Sequence, residues 1–207
     1  VALTSIGTHA VSGILLAGGN SLRLGQEKAL IDTGGETLVE RIVRRLEGVV
    51  DRVVVVTNDP DRYAFLGLPM VSDTYPGVGA LGGLHAGLAA IEAPYGLAVG
   101  CDMPFLNPAL LRYMISLRGG CDAVMPRVGR YREPLHALYA RTCAARFAQA
   151  IEAGQRRIMH ALEGARICYV ERDAMVRYDP QLRSFFNVNE PQDLERMRVL
   201  LHGEDRT

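Results

Sequence analysis

Val11-Ser12-Gly13-Ile14-Leu15-Leu16-Ala17-Gly18-Gly19 is a short, mainly apolar run that ends in a glycine pair. A run of this kind reads as a buried strand entering a glycine turn. Downstream, Thr37 to Leu46 places Leu38, Ile42 and Leu46 on one helical face, and Thr37 with Glu40 forms a capping box. Arg52 to Thr57 then carries four consecutive valines, the mark of a strand covered on both faces. Pro69 to Ser72 predicts a short strand, and Leu84, Leu88 and Ile91 a helix. Tyr95 to Cys101 predicts the next strand, and Pro108 to Leu117 a helix with proline in its first turn. Strand and helix alternate, so the expected fold is α/β: an open, mostly parallel sheet with helices on both faces. Its ligand crevice is expected beyond the carboxyl ends of the strands.

After Gly119-Gly120 the pattern changes. Ala123 to Arg127, a turn at Val128-Gly129-Arg130, and Glu133 to Tyr139 predict a hairpin or an insertion arm. Arg141 to Ala153, Arg157 to Leu162 and Asp193 to Leu201 read as helices, and Ile167 to Val170 as a strand. No repeat or low-complexity linker divides the 207 residues, so residues 1–207 are expected to form one domain. Within it, residues 11–111 would bind nucleotide and residues 112–202 would bind the acceptor and complete the sheet.

The 23 Lys and Arg balance the 23 Asp and Glu, so no general positive field draws nucleic acid or an anionic bilayer. Residues 1–111 hold 7 basic and 11 acidic side chains, and residues 112–207 hold 16 and 12, a mild asymmetry. No run of bilayer length is continuously apolar, and the opening lacks the basic-then-apolar order of a signal peptide, so the expected location is cytoplasmic. Cys101, Cys121, Cys143 and Cys168 lie far apart, without a C-x-x-C pair, and are expected to be buried free thiols rather than a zinc site.

Residues just past each strand of a parallel sheet gather along one edge. Here those positions hold Leu16-Ala17-Gly18-Gly19, Asn58, Asp73 and Asp102. Glycines let backbone N–H groups approach an anion or a base edge, and Arg23 and Lys28 follow on the same loop, which together suggest a triphosphate clamp. Lys28 is the only lysine in the chain. An ammonium on a flexible stem differs from a planar guanidinium and is a common phosphate ligand. It is not preceded by G-x-x-x-x-G, so a P-loop kinase is not expected. Asp102, directly after a buried strand, is a natural Mg²⁺ ligand, because magnesium favours one or two carboxylates together with substrate phosphates; its other reading is a turn or cap before the following helix. Gly77-Val78-Gly79-Ala80-Leu81-Gly82 matches the dinucleotide pattern G-x-G-x-x-G, but Asp73-Thr74-Tyr75-Pro76 separates it from the preceding strand.

These residues together resemble the molybdenum cofactor guanylyltransferases, within the larger group of nucleotidyltransferases that transfer NMP from NTP. The opening L-A-G-G-x-S-x-R-M-G-x-D-K of that family is matched from Leu16 to Lys28, with Leu24 for Met and Glu27 for Asp. Asp73 through Gly83 is similar to D-x-x-P-G-x-G-P-L-x-G, with Ala80 for Pro. Asp102-Met103-Pro104-Phe105-Leu106 resembles D-x-P-F-L, Glu133-Pro134-Leu135 the E-P-L segment, and Asn187 through Leu194 the late N-x-N-x-P-x-D-L. The resemblance covers nearly the whole chain.

It implies a three-layer, Rossmann-like nucleotidyltransferase fold. It implies base recognition by the backbone of Leu16, Ala17 and Gly18, phosphate contact by Lys28, nucleotide contacts from Asn58 and Asp73, and Asp102 on both nucleotide and Mg²⁺. Arg23 would support the phosphate loop or pair with Glu27, and Asn189 would join the metal region or cap the last helix. The implied partners are GTP and molybdopterin, with proteins that deliver the pterin or accept the product, and no nucleic acid or membrane. The implied reaction is attack of the molybdopterin phosphate on the α-phosphorus of GTP with loss of pyrophosphate. No histidine is assigned a step; His85, His136 and His160 are expected to pack or face solvent. Arg127, Arg130 and Arg132 cluster beside Glu133 and are expected either to border the pterin pocket or to form a solvated hairpin. The competing readings are cytidylyl transfer to the same pterin, NMP transfer to a sugar or alcohol phosphate, and an NAD-binding oxidoreductase or noncatalytic nucleotide sensor.

Overall fold

Alternate side chains of a strand leave on opposite faces, so an unbroken apolar strand must be covered twice. The computed structural model describes residues 11–18 and 28–204 and shows both coverings. β1 (Val11–Leu16) lies between β2 (Val53–Val56) and β4 (Tyr95–Gly100), parallel to both, and β3 (Met70–Val71) adds outside β2. Leu15, Val53, Val55, Leu97 and Val99 pack on one side, with α1 (Leu38–Glu47), α4 (Pro108–Ser116) and α8 (Pro191–Glu204). Ile14, Leu16, Val54, Val56 and Ala98 pack on the other, with α3 (Ala80–Ala90), α5 (Cys143–Glu152) and α6 (Ile158–Ala161). The layers are those of a three-layer α/β fold.

Local chemistry sets the helix starts. The Thr37 hydroxyl accepts the Glu40 N–H and Glu40 Oε2 accepts the Thr37 N–H at 2.7 Å, completing the capping box of α1. Asn107 Oδ1 accepts the N–H groups of Ala109 and Leu110 at 2.9 and 3.1 Å, so α4 is capped without help from Asp102. α2 (Pro60–Tyr63) and α7 (Arg172–Met175) are single turns, too short to show a periodicity in sequence.

α3 is apolar on most sides because it lies between the sheet and α5. Glycine permits the close approach: a Cβ at Gly87 would stand 2.4 Å from Ile14 Cγ2 and 3.1 Å from Val56 Cγ2. Neither neighbour can yield without disturbing β1 or β2. Gly87→Ala is therefore expected to destabilise the protein by roughly 1–3 kcal/mol despite the better helix propensity of alanine. A urea midpoint equal to that of the parent would contradict this packing.

Beyond α4 the sheet becomes mixed. β5 (Ala123–Val128) turns back through Gly129, at φ 59°, into β6 (Tyr131–Arg132), and β7 (His136–Ala140) pairs antiparallel with both β4 and β5. A short turn can join only antiparallel strands, which is why this half departs from the parallel pattern. β8 (Ile167–Glu171) pairs parallel with β5, and the order is β3-β2-β1-β4-β7-β5-β6.

That pairing overturns the expectation of four free thiols. Cys121 precedes β5 and Cys168 lies in β8, paired with Val124; their Cα atoms are 5.9 Å apart and a disulfide joins them. The 47-residue separation hides a contact made only by the strand register. Cys101 and Cys143 lie outside the disulfide.

His136 is fully buried on β7, its ring 5.0 Å from that of Phe185, and neither ring nitrogen has a hydrogen-bond partner. Burial pushes its pKa down to about 4, against a weaker upward pull from Asp179. The folded state thus takes up this proton only below the pH at which the unfolded chain, near 6.5, already has. The associated stability is complete above pH 6.5 and falls by roughly 3 kcal/mol by pH 4. Urea midpoints measured at pH 7.5 and 4.5 are expected to show that fall in the parent protein, and a smaller one in His136→Leu. Among the described residues, no helix is long and apolar enough to cross a membrane.

Candidate active site

The carboxyl ends of β1, β2, β3 and β4 open into a cleft of about 690 Å³. Backbone bonds align those ends: the Ala17 N–H reaches Val56 O at 2.9 Å, and the Cys101 N–H reaches Leu16 O at 3.2 Å. Leu16, Ala17 and Gly18 line the cleft after β1, Asn58 after β2, Asp73 after β3 and Asp102 after β4. Six expected site residues thus meet on one surface, although they span most of the first half of the chain.

Their arrangement is cooperative. Asn58 Oδ1 accepts the Asp73 N–H at 2.9 Å, and Asp73 Oδ1 accepts the Tyr75 N–H at 2.8 Å. The Asp73 carboxylate also lies against α3, where a Cβ on Gly82 would come within 2.6 Å of it. Gly77 and Gly79 adopt φ values of 81° and 79°, which side chains disfavour, and Gly79 leads directly into α3. The G-x-G-x-x-G match is therefore a turn that shapes the cleft wall and opens a helix. It does not spring directly from a strand, as a dinucleotide fingerprint would, because β3 ends at Val71.

Lys28 opens a short 3₁₀ turn, Lys28–Leu30. Its Nζ donates to Asn189 Oδ1 at 2.8 Å across 161 positions of sequence. Asn189 is brought there by its neighbour, since the Val188 N–H donates to Asp102 O at 2.9 Å. The side chain of Asn189 does not cap α8; Asp193 Oδ2 accepts the N–H groups of Asn189 and Glu190 at 3.0 and 2.9 Å and serves that end. Burial pushes the pKa of Asp102 up, and the Lys28 ammonium pulls it back. Its carboxylate folds toward the backbone, where a Cβ on Gly100 would stand 2.6 Å from Oδ1. Asp102 is thus a largely buried carboxyl group in the field of the Lys28 ammonium.

Lys28 does not itself line the cleft; it joins the site through Asn189 and Asp102. Arg23 and Gly19 lie outside the described residues. Thr57, Arg62 and Tyr63 also line the cleft, and none was expected. Asp59-Pro60 is a helix-start signal that would have placed α2 there, and Arg62 pairs with Asp59 at 2.9 Å. The arginines of the β5–β6 hairpin are engaged locally: Arg127 bonds Glu171, Arg127 and Arg132 approach the Tyr169 ring, and Arg130 lies over Tyr131. Of the histidines, His160 is exposed and His85 Nδ1 is 3.2 Å from the Thr74 hydroxyl.

Among the described residues no group of three or more His, Cys, Asp or Glu is placed to cage a metal. Asp73 and Asp102, two carboxylates at the ends of β3 and β4 beside a cleft with space for phosphates, are instead the kind of donors magnesium takes together with substrate phosphates.

A mostly parallel sheet whose strand ends carry a glycine turn, an amide and two carboxylates around a nucleotide-sized cleft defines an NTP-using nucleotidyltransferase of the Rossmann-like type. The chain belongs to the MobA-like NTP transferase family, whose domain profile matches residues 13–167. It is 38% identical over 202 residues to a probable molybdenum cofactor guanylyltransferase of Natronomonas pharaonis, covering 92% of this chain and 98% of that one. A protein of the same description from Pelotomaculum thermopropionicum is 35% identical over 189 residues, covering 91% and 92%. The crystal structure of molybdopterin-guanine dinucleotide biosynthesis protein A from Archaeoglobus fulgidus superposes with a TM-score of 0.81 at 30% identity, covering 93% of this chain and 99% of that one. A cytidylyltransferase for 2-C-methyl-D-erythritol 4-phosphate from Thermus thermophilus shares the fold at 17% identity and a TM-score of 0.70, covering 91% of this chain and 98% of that one.

Proposed function

We propose that this protein transfers GMP from GTP to the phosphate of molybdopterin carrying molybdenum, forming the guanine dinucleotide form of the cofactor. The observation that carries the reading is the meeting of Lys28, Asn189 and Asp102 at the edge of a cleft lined by Leu16, Ala17, Gly18, Asn58 and Asp73. The relatives named for this guanylyl transfer support the choice of nucleotide and acceptor.

A phosphate oxygen of the acceptor forms a bond to the α-phosphorus of GTP as the α–β bridging bond breaks, and pyrophosphate leaves with the electron pair. No protein nucleophile is needed, so positioning and charge neutralisation are the whole task. The backbone of Leu16, Ala17 and Gly18 reads the base edge, and Asn58 and Asp73 hold the nucleoside. Lys28, with Arg23, neutralises charge on the triphosphate. Asp102 would hold Mg²⁺, which when bound supplies positive charge to the phosphate oxygens. Residues 11–111 thereby serve the nucleotide, and residues 112–202 the acceptor. Proteins that deliver the pterin or take the product are the expected macromolecular partners.

Pyrophosphate release with molybdopterin, measured side by side with GTP and CTP, tests the reading. Magnesium-dependent release with GTP well above CTP is expected. Preference for CTP would reassign the nucleotide, and release only with a sugar or alcohol phosphate would reassign the acceptor. NADH binding without release of pyrophosphate would overturn the class of chemistry.

A further inference from the structure

Glu133 precedes β7 and is half-buried, yet its carboxylate has no hydrogen-bond or ion-pair partner among the described residues. An unpaired, partly desolvated carboxylate is costly unless something else accepts its charge. The obvious neighbours do not: Arg127 is committed to Glu171 and the Tyr169 face, Arg132 approaches Tyr169, and Arg130 lies over Tyr131. Nor is Glu133 loosely placed. Its N–H donates to Pro126 O at 3.2 Å, and its C=O accepts the His136 N–H at 3.1 Å. The next carbonyl, Pro134 O, accepts the Tyr139 hydroxyl at 2.6 Å. The backbone is held at both sides while the acid is left open.

Strand order says where it is held. β7 lies on the far side of β4 from β1, β2 and β3, which supply the nucleotide-facing turns. The β4–β7 register pairs Val99 with His136, and the Gly100 N–H continues it to Leu135 O at 3.1 Å. Two residues beyond that last pair, the outgoing chains reach Asp102 on one side and Glu133 on the other. Leu135 itself lines the cleft. Glu133 therefore leaves the sheet at the same end as Asp102, on its β7 side and away from the turns that follow β1, β2 and β3.

We propose that Glu133 binds the acceptor by its heterocycle, its two oxygens accepting a fork of adjacent ring and amino N–H groups. The inference rests on the reading of molybdopterin as acceptor, because a 2-amino-4-oxopyrimidine edge presents that fork and a sugar phosphate does not. Two charge-assisted bonds in one plane select such an edge by geometry as well as by energy. Burial pushes the pKa of Glu133 up, and N–H donors on its oxygens would pull it back down.

Steady-state guanylyl transfer by the full chain, with GTP and molybdopterin varied separately, tests the assignment in Glu133→Gln and Glu133→Asp. Glu133→Gln is expected to raise the KM for molybdopterin by roughly tenfold to a hundredfold, since a charged acceptor is replaced by a neutral amide with one donor end. The KM for GTP and the thermal midpoint are expected to stay at the parent values. Glu133→Asp, which keeps the charge on a shorter stem, is expected to recover part of the affinity. If the parent enzyme transfers GMP to molybdopterin while Glu133→Gln shows the parental acceptor KM, the assignment fails and the reaction stands. If both KM values and the midpoint shift together in both variants, Glu133 is structural and the assignment also fails. A parent enzyme inert toward molybdopterin with every nucleotide overturns the functional reading itself, and this assignment with it.

Discussion

Lys28→Ala is expected to lower kcat by roughly a hundredfold to a thousandfold, the loss seen when one preorganised electrostatic donor is removed from a transition state. Lys28 is the chain's only lysine, and its ammonium meets both Asn189 and the field of Asp102. Nothing else described offers a compact charge there. Lys28→Arg is expected to recover little, because a planar fork on a longer stem cannot take the same point contact. Stability is expected to change by less than about 1 kcal/mol, since the Lys28–Asn189 bond is exposed. Single-turnover pyrophosphate release, alongside a urea melt, separates the two effects. Parental turnover in Lys28→Ala would remove lysine from the chemistry.

Asp102→Asn is the second large effect, and its sign on stability is opposite to its sign on activity. The substitution keeps the shape and removes the charge, so turnover is expected to fall by about a thousandfold or more and to resist added magnesium. Burial of the Asp102 carboxylate is unfavourable in the folded protein, and Lys28 only partly offsets it. Removing that charge is expected to leave the urea midpoint equal or higher, the pattern of a site kept strained for function. Because Lys28 and Asp102 act on each other, the double variant is expected to lose less than the product of the single losses. Purely multiplicative losses would mean that the two groups act independently.

How far these residues were readable depends on the kind of signal each left. β1 and β2 were legible because an unbroken apolar run has few other uses, and α1 because Thr37 and Glu40 mark its first turn chemically. Asn58, Asp73 and Asp102 were legible as strand-end positions, since a parallel sheet aligns its carboxyl ends whatever the distance in sequence. Tyr63 and Arg62 were missed because α2 is one turn long and shows no period. The Cys121–Cys168 bond was missed for a different reason: it depends on β8 pairing with β5, a choice that no local pattern records. The same holds for the open carboxylate of Glu133, whose neighbouring arginines in sequence all turn elsewhere in space.

The chain's own order of residues determined a layered α/β architecture, the edge where ligands gather, and the glycines and carboxylates offered there, because these follow from local periodicity and strand direction. Tertiary structure alone decided that Asn189 meets Lys28 beside Asp102 and that β7 enters antiparallel next to β4. Those contacts join positions far apart in sequence, and their energies depend on packing and desolvation that exist only once the sheet has closed around its core.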